Sequence, residues 1–146
     1  MPSNPSPSKL DALSFLVGKW SLRGRSVGAP DDNISGISET IWSADHEFLE
    51  QRSVIRLGVD EIHDLEIVGC RSDSDEFPAW VFTRGAPEPL RYSWRVEEGK
   101  LVHEGLGATF RGTISPDGRT IRGAWQSNGA SENPGSDYSV EMVRIE

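Results

Sequence analysis

The chain has 146 residues, 36% of them hydrophobic, with 15 basic and 23 acidic side chains and a formal net charge of −8. One domain of that length buries about 70% of the surface its unfolded chain exposes, so no disulfide or metal staple is needed for collapse. The acidic balance without a Lys/Arg cluster excludes nucleic acid and anionic membrane as expected partners, and the single Cys70 supports neither a disulfide framework nor a cysteine-rich metal site.

Residues 1–7 carry Pro2, Pro5 and Pro7 and read as a flexible arm ahead of a single domain over 8–146. The arm lacks the basic start and apolar stretch of a signal peptide. No apolar run approaches the roughly 20 residues of a membrane span, so the expected location is the cytoplasm. Ser8 and Asp11 resemble a capping box, and Leu10, Leu13, Phe15 and Leu16 give a short apolar stripe. They predict a helix of about two turns, too short to be stable unpacked, that stops at Gly18.

From Trp20 the hydrophobic period becomes two, with turn residues at intervals close to ten. About ten strands are predicted, at 18–26, 36–42, 48–57, 64–71, 78–84, 89–97, 100–106, 108–115, 119–127 and 136–145. Glu97-Glu98-Gly99-Lys100 and Ser115-Pro116-Asp117-Gly118 carry the residues of tight hairpins. Alternation turns Leu90, Tyr92, Trp94 and Val96 to one face, and likewise Trp80 with Phe82, Phe110 with Ile114, Ile121 with Trp125, and His103 with Leu101. A meander with one apolar, aromatic face and one short helix closes by pairing its last strand with its first, which removes both exposed edges. The expected fold is all-β, an antiparallel up-and-down β-barrel of about ten strands with a short N-terminal helix.

Gly18-Lys19-Trp20, after a short helix and opening the first strand, is similar to the Gly-x-Trp signature of lipocalins and the wider calycin group. The resemblance implies that Trp20 closes one barrel end and that a basic side chain of the last strand, here Arg144, lies across its indole. Phe15 to Trp20, together with Phe110-Arg111-Gly112-Thr113-Ile114-Ser115-Pro116-Asp117-Gly118-Arg119-Thr120-Ile121-Arg122-Gly123-Ala124-Trp125, resembles a family of small bacterial lipocalin-like domains of unknown function. That family often has a Trp in the loop before the last strand, where this chain reads Ser131-Glu132-Asn133-Pro134-Gly135. Fatty-acid-binding barrels and haem-binding nitrobindins are more distantly similar. The latter resemblance implies a haem held by a C-terminal His, and no His follows His103, so no cofactor is expected and haem is the alternative.

Two readings of the aromatic residues stand side by side: the wall of a ligand cavity, or a packed core. In the first, Trp80, Phe82, Tyr92, Trp94, Phe110, Trp125 and Tyr138 surround a small, largely apolar or aromatic molecule, with Gln51, Arg84 and His103 as polar anchors, and an inward Arg84 favours an acidic ligand. Gly69, Gly105, Gly107, Gly112 and Gly123 within the strands leave volume for it. An enzyme is the alternative, an isomerase, cyclase or hydrolase with His103 as acid or base and Tyr92 or Tyr138 as donor. A filled barrel working through its surface or as a homodimer is the third, marked by a cavity below roughly 300 Å³. Asp60-Glu61-Ile62-His63-Asp64 and Asp45-His46-Glu47 read as solvated acidic turns, since neither has the spacing of a zinc or calcium site. Cys70, on the face opposite Leu65 and Ile67, has no neighbouring base and there is no Gly-x-Ser-x-Gly elbow, so covalent catalysis is not expected.

Overall fold

A computed structural model describes residues 9–128 and 137–146. The expected arm at 1–7, Ser8 and the loop Ser131 to Gly135 lie outside the described residues. The helix, Lys9–Leu16, is a 3-10 helix. Its leucines explain the form: Leu10, Leu13 and Leu16 recur every third residue, which matches three residues per turn and stacks them on one side, where all three are buried. Such a helix makes poor internal hydrogen bonds, and the burial of these leucines is what holds it in place.

Ten strands follow: β1 Gly18–Ser26, β2 Ile34–Trp42, β3 Leu49–Leu57, β4 Asp60–Val68, β5 Phe77–Thr83, β6 Leu90–Glu97, β7 Lys100–Gly105, β8 Ala108–Ile114, β9 Thr120–Ser127 and β10 Tyr138–Arg144. Each pairs antiparallel with its chain neighbours, and β10 pairs with β1, so the sheet is a closed barrel. The turns obey their chemistry. Glu98 and Gly99 between β6 and β7, and Leu106 and Gly107 between β7 and β8, all have positive φ, the geometry of a two-residue hairpin turn.

The expected architecture is observed, with one displaced strand. β4 spans 60–68 instead of 64–71, so Asp60 to Asp64 belongs to a strand and not to a turn, and Cys70 is exposed beyond its end. The tight turn at Gly58-Val59 sets this start, pairing Leu57 with Asp60.

The two barrel ends differ. At the helix end, Leu10, Leu13, Leu16, Trp20, Leu49, Val68, Phe77, Leu101 and Ile121 pack into a continuous core. Trp20 Nε1 donates to the Leu16 carbonyl at 2.9 Å, and the Arg144 guanidinium lies 4.6 Å from the Trp20 ring centre. Arg144 also donates to the carbonyls of Phe15 and Val17. Gly18, at φ +135°, leaves room for this: a Cβ there would collide with the Arg144 guanidinium and the Glu146 carbonyl. The other end is ringed by the turns after β1, β3, β5 and β7.

Candidate functional site

Inside that half of the barrel is a cavity of about 380 Å³. Its walls differ in chemistry: the hydroxyl, amide and carboxyl side chains that line it, Ser38, Gln51, Ser53, Asp64, Glu66 and Thr83, come from β2 to β5, among aliphatic residues such as Ile55 and Ile62, whereas the aromatic rings come from β6 to β10. Ser38, Ser53, Asp64 and Thr83 all line the cavity and are successive cross-strand partners, Ser38 with Ser53, Ser53 with Asp64, and Asp64 with Thr83. They make a single polar row across four strands. One level away lie Gln51 and Glu66, also paired across β3 and β4, with Gln51 Nε2 donating to Thr40 Oγ1 at 3.0 Å.

Facing them are Tyr92, Trp94, Phe110, Trp125 and Tyr138, with His103 among the rings. His103 stacks on Trp94 with ring centres 3.7 Å apart and 14° between planes, and Tyr92 and Trp125 stand 5.1 and 5.2 Å away at steeper angles. Gly105, the partner of Tyr92 on β7, permits this arrangement, because a Cβ there would occupy the Tyr92 ring. The walls are joined through Glu66. Its Oε2 accepts from Trp94 Nε1 at 2.8 Å and lies 2.9 Å from His103 Nε2, so a carboxylate that is almost wholly buried has two ring N–H partners. With Nε2 facing the Glu66 carboxylate, Nδ1 of His103 makes no hydrogen bond among the described residues.

Asp64 is the less satisfied acid. Burial pushes its carboxyl above the usual carboxylate range and the Glu66 charge acts the same way, against the Thr83 hydroxyl and His63. Asp64 Oδ1 and Ser38 Oγ are buried without a hydrogen-bond partner among the described residues. Burial also raises both phenols, Tyr92 and Tyr138, to about 12, helped at Tyr92 by the charges of Glu66 and Asp64 and at Tyr138 by Tyr92 and Asp64. Both tyrosines are therefore hydroxyl donors at neutral pH.

Of the expected site residues, Gln51, Tyr92, Trp94, His103, Phe110, Trp125 and Tyr138 line the cavity. Trp80, Phe82 and Arg84 do not. Trp80 and Phe82 stand on the outer wall, 46% and 44% exposed, and Val81 and Thr83 take the inward positions. The cause is a strand apolar on both faces: the inward set of β5 is Phe77, Ala79 and Val81, and the large rings pair outside, Trp80 with Ile67 and Phe82 with Leu65, with the Arg91 guanidinium 5.6 Å from the Trp80 ring. Arg84 is exposed past the end of β5, tied by its backbone N–H to the His63 carbonyl, and is not among the residues that line the cavity.

The same inversion hid Asp64 and Glu66. The apolar residues of β4 fall on both faces, Leu65 and Ile67 outward and Ile62 and Val68 inward with the acids, so the available signal was the neighbouring strand, whose inward Gln51 and Ser53 are also polar and partner them.

Among the described residues no group of three or more His, Cys, Asp or Glu could hold a metal ion. Of the three histidines, His46 stacks on Trp42 outside the cavity, His63 is bound to Glu61, and His103 is packed against Trp94, Tyr92 and Trp125. No described helix is long and apolar enough to cross a membrane. The fold and site thus define a closed antiparallel β-barrel with a two-faced interior cavity. The chain matches no protein-family model and no curated protein.

Proposed function

We propose that the protein is a lipocalin-like binding barrel that holds a small, largely apolar or aromatic molecule inside its cavity and acts in the cytoplasm. The observation that carries this reading is the cavity itself: about 380 Å³, above the roughly 300 Å³ at the low end of ligand pockets, and walled on one side by aromatic rings. A barrel built only as a scaffold would bury Ser38 Oγ and Asp64 Oδ1 against partners, since unpaired buried polar atoms cost stability.

Native mass spectrometry of the purified protein tests the reading, together with Trp fluorescence titrated against fatty acids, haem and small aromatic compounds. A retained or quenching compound is expected, and Ile55→Trp, which fills the cavity from β3, should abolish the response while the far-UV circular dichroism stays that of a barrel. A single unliganded mass with no quenching across the panel overturns it.

A second reading, proton transfer within the same cavity, is favoured by His103, which Glu66 holds through Nε2 while leaving Nδ1 as a base. Loss of turnover with binding retained in His103→Ala supports it, and an unchanged rate removes it.

A further inference from the structure

The cavity's charges select among ligands. Among the described residues no Lys or Arg lines it; the one basic side chain among them that does, His103, already faces Glu66, and Asp64 adds a second carboxyl. An anionic ligand would bring a third negative group into a space with low-dielectric walls and no cation to meet it, which repels it.

A donor of hydrogen bonds meets the opposite situation. The row Ser38, Ser53, Asp64 and Thr83 presents oxygen atoms on four neighbouring strands, and two of them, Ser38 Oγ and Asp64 Oδ1, have no hydrogen-bond partner among the described residues. Ser38 is only 1% exposed, so bulk solvent does not satisfy its hydroxyl. Across the cavity, Trp125 stands at 82° to Tyr92 with ring centres 6.4 Å apart and 6.5 Å from Tyr138, an arrangement of ring faces and edges that attracts a cation and accommodates a flat apolar body.

We propose that the ligand is an aromatic primary amine bound as its ammonium ion, its three N–H donors directed to Asp64 and the adjoining hydroxyls and its ring held against Trp125, Tyr92 and Tyr138. A primary ammonium matches this site because it has a positive charge, three donors and no acceptor. The raised carboxyl of Asp64 agrees with it, since a bound cation relieves the repulsion between Asp64 and Glu66. This inference rests on the binding reading above and specifies its ligand.

Isothermal titration of the full chain near pH 7 with three probes of matched ring, 2-naphthylmethylamine, 2-naphthylmethanol and 2-naphthoate, provides the test. The amine is expected to bind at least tenfold more tightly than the alcohol, and the carboxylate most weakly. Asp64→Asn should lower amine affinity about tenfold and move the alcohol less than threefold. Equal or tighter binding of 2-naphthoate, or an amine preference untouched by Asp64→Asn, overturns the ammonium assignment while leaving a ligand-binding barrel in place. No heat from any of the three overturns both. Should Asp64→Asn not fold, the order of the three probes on the unaltered protein decides the matter.

Discussion

Glu66 on β4 and His103 on β7 are on strands that do not touch as neighbours in the sheet, yet their side chains meet at 2.9 Å across the barrel interior. The contact also includes Trp94, which donates to the same carboxylate oxygen at 2.8 Å. Glu66 thereby ties two opposite walls together. Removing it in Glu66→Ala leaves two buried ring nitrogens unpaired and should cost about 2–4 kcal/mol, since each orphaned buried donor costs roughly 1–3 kcal/mol. Glu66→Gln keeps one acceptor and should lose less than half as much. Urea midpoints measured at unchanged m-value check the order.

Asp64 carries the opposite expectation. Its folded-state pKa lies above the unfolded value of 3.8, so the ionised carboxylate destabilises the fold above the folded pKa, and the penalty fades as pH falls through that pKa toward the unfolded one. Asp64→Asn should therefore be more stable than the unaltered protein at neutral pH, by under about 1 kcal/mol because the site is partly solvated. The advantage should shrink as pH falls into the range of carboxylate titration. Chemical denaturation at several pH values provides the comparison.

The chain has two tyrosines, and both have phenols raised to about 12. A phenol that loses its proton later in the folded state than in the unfolded one contributes stability that is fully present below about pH 10 and is lost as pH rises through the folded value. Ultraviolet titration of the folded protein should show no tyrosinate near pH 10, whereas in concentrated urea both residues should titrate there. A normal titration of either in the folded protein would place its hydroxyl in water.

Arg144 should be more sensitive than its position near the chain's end suggests. It lies over Trp20 and donates to two carbonyls of the segment that leads into β1. Arg144→Ala should cost about 2–4 kcal/mol, and Arg144→Lys should recover only part, because an ammonium lacks the planar fork that reaches both carbonyls. Thermal unfolding of the two variants distinguishes loss of charge from loss of geometry.

Most of the fold was legible because turn chemistry and alternation are local: Glu98-Gly99 and Asp117-Gly118 mark their hairpins, and β6 reads inward at Leu90, Tyr92 and Trp94 as the structure has it. Closure was legible from edge avoidance, and is observed in the pairing of Trp20 with Arg144. The cavity's aromatic side was read largely from sequence for the same reason. Its polar side was not. On β4 and β5 apolar residues occupy both faces, so hydrophobicity could not orient the strand, and the choice between Leu65/Ile67 and Asp64/Glu66 depended on pairing with β3, a non-local fact. Nor does alternation report that a carboxylate will meet two ring nitrogens from β6 and β7, since that contact exists only after the sheet has curled.

Of the ten ladders in the ring, nine join strands consecutive in the chain, and one, β1 with β10, joins its two ends. In kinetic terms the nine require only short loop closures and the tenth carries the large entropic cost of bringing distant segments together. Closing that seam is the non-local step of assembly, and the seam lies beside the aromatic wall, where Tyr138 of β10 and Leu22 of β1 line the cavity. Anything that fills the cavity binds the closed form better than the open one, so by mass action occupancy and seam closure reinforce each other. Amide exchange along β1 and β10 should then slow on ligand binding more than exchange along β3 and β4, making the seam a reporter of the interior.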